Sequence, residues 1–264
     1  MEFQHRDSEN TEKISEELTE QWPDTIRRIR ERTPARVLAG RAGSSYRTSS
    51  QLDLREAHAA AVDAVRDELD LNVTLGVSFV AQHRLFEIST LATSKPEFLL
   101  RPDLGRRFSE PARTTLKERC RANPDLQIAI GDGLSVAAVT AQVPELLPLL
   151  LSEAKSKRWI VGQPFVIRHC RVGILNDIGE MLSPTIAVLL IGERPGLATA
   201  ESLSAYVAFR PNSRQTDADR NLVSNIHARG TRPRVAATRL IAMVSAMMVQ
   251  QVSGTKLTLP SLTP

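Results

Sequence analysis

The sequence predicts an α/β protein with a doubly wound, mostly parallel sheet and an N-terminal helical extension. Three observations carry that prediction. The run Ile186–Ile191 contains only apolar residues and shows no alternation, as a strand buried on both faces does. Gly192 and Pro195 end it abruptly, which favours a strand over a short buried helix. A second strand, Leu126–Ile130, also runs into a glycine-containing acidic loop, so strand, loop and helix recur at 126–142 and 186–203. Open sheets of this class bind ligands beyond the carboxyl ends of their strands, so Glu193 and Arg194 stand where a site is expected.

With 264 residues and 42% hydrophobic side chains, the chain can bury one large core. Lys plus Arg number 34 against 30 Asp plus Glu, a net charge of only +4 with both signs intermixed. That excludes the strong basic field of a nucleic-acid binder. Two cysteines, Cys120 and Cys170, exclude a disulfide framework and a Cys-based zinc site. The N-terminus is charged and lacks the apolar core of a signal peptide. Leu240–Val249, the longest apolar stretch, falls short of the roughly 18 residues of a membrane span. A soluble, intracellular protein with no membrane contact is expected.

Residues 1–32 form the extension: Ile14, Leu18 and Trp22 make one helical stripe, and Ile26 and Ile29 continue it after Pro23. Residues 33–264 form the α/β domain. Arg36–Leu38 reads as a short strand before a basic glycine loop, Gly40 to Arg47, in which Arg41 and Arg47 could hold an anion. No Gly-Lys-Ser/Thr follows, so it is not a phosphate loop of the Walker type. Leu54, Ala57, Ala61, Val62, Val65 and Leu69 share a helix face, with His58 on its flank. Strands are expected at Thr74–Val80 and around Phe86–Ile88. Ser109 is placed to cap a helix carrying Leu116 and Cys120, and Ser135 to cap the helix after Leu126–Ile130.

Trp159–Ile167 reads as a third strand and Ser204–Arg210 as a fourth, while Ala198–Leu203 can open a helix. The last helix spans about Arg234–Val252, buries Ala237, Leu240, Ile241, Val244 and Met247, and meets a natural stop at Gly254. No catalytic cluster appears. Neither glycine loop is G-x-G-x-x-G, no G-x-S-x-G elbow surrounds Ser135, and His227 lacks a second ligand at metal spacing, so no metal site is expected.

The ordered set GRAG, RPDLGRR, IGDGLS, RVGILNDIGE, IGERPG and DRNLVSNIHARGTRP resembles the small subunit of ethanolamine ammonia-lyase from about residue 33 to the C-terminus. The resemblance implies a Rossmann-like fold that caps adenosylcobalamin. It implies conversion of ethanolamine to acetaldehyde and ammonia by radical chemistry, inside a hetero-oligomer. There the large subunit, a TIM-type barrel, holds the substrate and most catalytic groups. Cofactor-contacting positions carry over to Val172, Glu193 and Leu222; at the last, relatives often have Cys. No D-x-H-x-x-G motif offers a histidine to cobalt, which fits a cofactor that keeps its own base. The resemblance also implies a bacterial microcompartment where the host builds one, and the cytoplasm otherwise. Two other readings stay open: a free-standing nucleotide-binding enzyme using the GDGLS and GERPG loops, and a ligand-free scaffolding subunit with Glu193 and Arg194 as a loop ion pair.

Overall fold

The structure, a computed structural model, describes residues 24–33 and 41–259. These fall in two compact units, one ending at Gln51 and the other beginning at Leu52. The stripe of Ile14, Leu18 and Trp22 and the short strand Arg36–Leu38 lie outside the described residues. In the first unit, helix α1 (Asp24–Arg32) carries Ile26 and Ile29, and no residue of it is buried. A hairpin of β1 (Arg41–Ala42) and β2 (Ser45–Tyr46) turns at Gly43, whose φ is 63°. The Arg41 guanidinium lies 5.8 Å from the Tyr46 ring. Helix α2 follows (Thr48–Arg66).

The second unit begins on α2, whose Leu54, Ala57, Ala61, Val62 and Val65 are half-buried along the expected face. Two short helices, α3 (Leu71–Leu75) and α4 (Val77–His83), replace the strand expected at Thr74–Val80. Capping chemistry wins here over β-branched composition. Asp70 accepts hydrogen bonds from the N–H groups of Asn72 and Val73, both at 3.0 Å, and Gly76 at φ 80° breaks the two helices apart. Strand β3 (Glu87–Ser89) and helix α5 (Lys95–Leu100) come next. Helix α6 (Glu110–Arg119) starts at its expected cap, Ser109, which accepts from the Ala112 N–H.

The central strand β4 (Leu126–Gly131) leads to α7 (Val136–Ser156), capped by Ser135 through the Ala138 N–H at 3.2 Å. By length and composition α7 could cross a membrane. It lies instead on the sheet, burying Val139, Val143, Leu146, Leu147 and Leu150. Strand β5 (Phe165–Arg168) is shorter than the expected 159–167, because Pro164 interrupts pairing and only Val161 bridges to Leu126 before it. After α8 (Ile174–Leu182) come β6 (Ile186–Gly192), β7 (Leu203–Phe209), β8 (Arg220–Ile226) and α9 (Pro233–Gln250).

The sheet order is β3-β5-β4-β6-β7-β8. The first four strands are parallel, whereas β7 and β8 run antiparallel along one edge. The helix expected at Ala198–Leu203 is therefore absent, and β7 begins there. Only residues 193–202 separate β6 from β7, too few for the crossover of a dozen or more residues that a parallel return needs. Strand β6 is buried along its whole length but joins the parallel and antiparallel parts instead of lying inside a parallel run. Gln251 at φ 56°, rather than Gly254, ends α9.

Apolar cores cover both faces of the sheet. One packs α7 and α9 against Ile128, Val188 and Val207; the other packs α6 and α8 against Ala129, Leu189 and Ile191. Between β4 and β6 the fit is close. Gly133 has φ 56°, and a Cβ on it would stand 2.3 Å from the Gly192 carbonyl oxygen. Gly133→Ala is expected to cost at least about 1–3 kcal/mol from backbone strain alone. A lower urea midpoint than Gly196→Ala, whose added Cβ meets nothing within 4 Å, checks this.

Candidate cofactor-binding face

The crevice at the carboxyl ends of β4, β5 and β6 is organised by one buried carboxylate. Asp132, fully buried after β4, accepts the His169 N–H at 2.9 Å and the Cys170 N–H at 2.8 Å. Lys95 at the start of α5 brings its Nζ to 3.7 Å from Asp132, and both side chains are inaccessible to solvent to within 4%. Burial pushes the Asp132 carboxyl upward, against the pull of Lys95 and the two N–H groups. Burial also raises the Cys170 thiol well above its ordinary value, and its neighbour Asp132 adds to that, so Cys170 is no nucleophile. The His169 ring spans from the Ala92 carbonyl (3.0 Å) to Glu68 (3.1 Å). This clamp fixes the loop that delivers Arg171 and Val172.

Val172 is half-buried against the core under α6 and α8, where Tyr206 of β7 packs too. In register, Leu189 of β6, Tyr206 and Leu222 of β8 form one row across three strands. Successive side chains alternate between faces, so all three project from the α8 side of the sheet. The core on that side includes Ala208 and Tyr206 but no residue of β8. The β7–β8 ribbon is thus open on this face, and Leu222 is 43% exposed.

Glu193 stands at the carboxyl-end rim of the ribbon. Its Oε2 accepts from the Ser202 hydroxyl at 2.6 Å, and its Oε1 from the Ser204 hydroxyl at 2.5 Å and the Asn225 N–H at 3.0 Å. Burial pushes this carboxyl up, but the Asn225 N–H and the two hydroxyls together hold it below its usual range. At the opposite rim, Arg220 donates to Asn176 of α8 at 2.8 Å and pairs with Asp217. The cleft beside it, about 570 Å³, is lined by Arg106, Arg113, Asn176, Asp177, Gln215 and Arg220 among others. The Nε of Arg220 and the Oε1 of Gln215 are buried there without a hydrogen-bond partner.

The three residues carried over from the resemblance thus border one face. Glu193 is tied through Asn225 to the strand that bears Leu222, and Val172 shares a core with Leu222's cross-strand neighbour, Tyr206. Among the described residues, no hydrogen bond joins any of the three to another.

A family model described as ethanolamine ammonia-lyase light chain (EutC) matches residues 23–258. The chain belongs to the ethanolamine ammonia-lyase light-chain family. Curated relatives, each named ethanolamine ammonia-lyase small subunit, agree over most of the chain. The Fusobacterium nucleatum protein is 40% identical over 232 residues, 88% of this chain and 77% of the relative. The Clostridium perfringens protein is 38% identical over 226 residues, 86% and 75%. The Clostridium acetobutylicum protein is 37% identical over 225 residues, 85% and 90%.

As a light chain of this family it is a subunit of a lyase, and no group of three or more metal-ligating side chains occurs among the described residues. Sequence reasoning missed Tyr206, Ser202, Ser204 and Arg220 at this face. The chain has only two Tyr, and one placed between small residues and Val inside the strand L-S-A-Y-V-A-F is the available signal.

Proposed function

We propose that this chain is the small subunit of an adenosylcobalamin-dependent ethanolamine ammonia-lyase, and that its open β7–β8 face caps the cofactor against a larger partner subunit. Family membership supports the reaction, conversion of ethanolamine to acetaldehyde and ammonia. One observation carries the capping role: a cross-strand row, Leu189–Tyr206–Leu222, beside Val172's core, is left without a helix over β8 and is rimmed by polar groups.

The chemistry of the rim fits a corrinoid, whose periphery is neutral amides around an apolar ring. A carboxylate offers about four acceptor positions, and Glu193 uses three, so its Oε2 can take an amide N–H. Among the described residues the Tyr206 hydroxyl has no hydrogen-bond partner and is free to donate to an amide carbonyl. Leu222 supplies apolar contact where relatives often have Cys. Bound at this face, adenosylcobalamin supplies radical initiation through homolysis of its cobalt–carbon bond. The residues of this chain hold and orient the ring and keep water from that side. A larger subunit, a TIM-type barrel on this reading, provides substrate binding and most catalytic groups. The complex resides in a microcompartment where one is built, otherwise in the cytoplasm.

The two alternatives are less well supported. In the GDGLS loop the Leu134 N–H is spent on the Gly192 carbonyl and the Ser135 N–H on the Asp132 carbonyl, so they do not face a phosphate. For the ligand-free scaffold, the loop ion pair it invoked is missing among the described residues, where Glu193 is held by Ser202, Ser204 and Asn225.

The test is reconstitution. With adenosylcobalamin and ethanolamine, neither this chain alone nor the larger subunit alone is expected to turn over, and the mixture should restore activity. Turnover by this chain alone would sink the capping role.

A further inference from the structure

A second cleft, of about 560 Å³, opens where the carboxyl ends of the parallel strands meet α2, and the capping role leaves it unused. Leu134 after β4, Arg171 after β5 and Arg194 after β6 line it, facing His58, Val62 and Arg66 of α2. Among the described residues, no carboxylate lines this cleft. Arg171 lies 4.2 Å over the Phe98 ring, and its Nε is buried with no hydrogen-bond partner. Burial, and then the nearby charge of Arg194, pull the Arg171 guanidinium below its ordinary value. Among the described residues, Arg66 and Arg194 enter no ion pair within 4 Å. Three guanidiniums thus line an apolar-walled space; buried Asp132 offsets Arg171 in part but is itself paired with Lys95.

We propose that this cleft binds the phosphate of a nucleotide, with Arg171 and Arg194 on the phosphate and the apolar wall of Val62 and Leu134 against the base or ribose. Paired guanidiniums match a phosphate's acceptor geometry. The volume falls in the ordinary range for small-ligand pockets, roughly 300–1,000 Å³. The holding is by side chains, because the Leu134 and Ser135 N–H groups are already engaged. One chemistry has two sources here. The nucleotide is either a free one, or the phosphodiester-linked nucleotide of the corrinoid itself; the second source rests on the capping role proposed above.

Equilibrium dialysis on the complex of this chain with its larger subunit distinguishes them. The probes are 5′-AMP, cobalamin, and cobinamide, which lacks the nucleotide. The variants are Arg194→Gln, at an exposed residue that holds no side-chain hydrogen bond among the described residues, and Arg66→Gln, with thermal melting to confirm folding. If the source is free nucleotide, AMP binds the corrinoid-saturated complex, and Arg194→Gln weakens it about 10-fold or more. If the source is the cofactor, AMP binds only the corrinoid-free complex, and Arg194→Gln weakens cobalamin but not cobinamide. No AMP binding in either state, or AMP binding unchanged in both variants, overturns the proposal. Failure of the capping role reads differently: neither corrinoid binds the wild-type complex, while the AMP result stands by itself.

Discussion

Replacing Asp132 with alanine is expected to destabilise the fold by about 3–5 kcal/mol, the cost of leaving one member of a buried ion pair without its partner. Among the described residues, Lys95 has no hydrogen-bond partner at Nζ, and Asp132 at 3.7 Å is its only ion-pair partner. The substitution also orphans the N–H groups of His169 and Cys170. Asp132→Asn keeps an acceptor for those N–H groups and loses only the charge, so it should fall between wild type and Asp132→Ala. The decisive variant is the double, Asp132→Ala with Lys95→Met, which removes both charges and keeps most of the apolar volume. A well-packed apolar substitute for a buried pair is often neutral, so the double should recover much of what the single loses. Urea unfolding followed by circular dichroism measures this. If the double were as unstable as the sum of the two singles, the two side chains would not be coupled. Arg171 and Val172 follow directly on the clamped loop, so the single variant should also weaken corrinoid binding.

What could be read from the sequence followed from residues whose neighbours in the chain decide their fate. The strand runs Leu126–Ile130 and Ile186–Ile191, the caps Ser109 and Ser135, and the stripe of the last helix are local signals, and the structure carries all of them. What stayed illegible depends on partners far along the chain. Whether β6 is followed by a helix or by an antiparallel return is decided by how β7 pairs, not by the composition of 198–203. Strand β8, R-N-L-V-S-N-I, is an edge strand with one buried side, so it lacks a continuous apolar run. Thr74–Val80 looked extended from its β-branched content, but Asp70 and Gly76 outside the run determine it. At the site, the resemblance pointed to Val172, Glu193 and Leu222, yet Tyr206, which links two of them, could emerge only from the register of β6, β7 and β8. The Asp132 clamp was equally hidden, because its donors lie 37 and 38 residues away.

Glu193 has a structural duty as well as the proposed binding one, and the two can be separated. Alanine there leaves the Ser202 and Ser204 hydroxyls and the Asn225 N–H without their acceptor. An unsatisfied buried donor costs about 1–3 kcal/mol, and the rim is only half-buried, so a total loss of about 1–3 kcal/mol is expected. Glutamine keeps one acceptor oxygen and should lose less. The pH dependence carries its own sign. The folded-state carboxyl lies below its ordinary value near 4.5, so its contribution is fully present above that pH and fades as the pH falls through the folded value. The stability gap between wild type and Glu193→Gln should therefore be constant near neutrality and shrink on acidification. Corrinoid affinity reads the other duty. If the free Oε2 position accepts a cofactor amide, removing the charge-assisted bond weakens adenosylcobalamin about 10- to 100-fold in the assembled enzyme. Titration at neutral pH, at a temperature where both variants remain folded, separates the outcomes. Loss of stability with unchanged affinity would make Glu193 a brace for the β7–β8 ribbon and nothing more. A loss of affinity that Glu193→Gln also shows, beyond its smaller loss of stability, would place the carboxylate in contact with the cofactor.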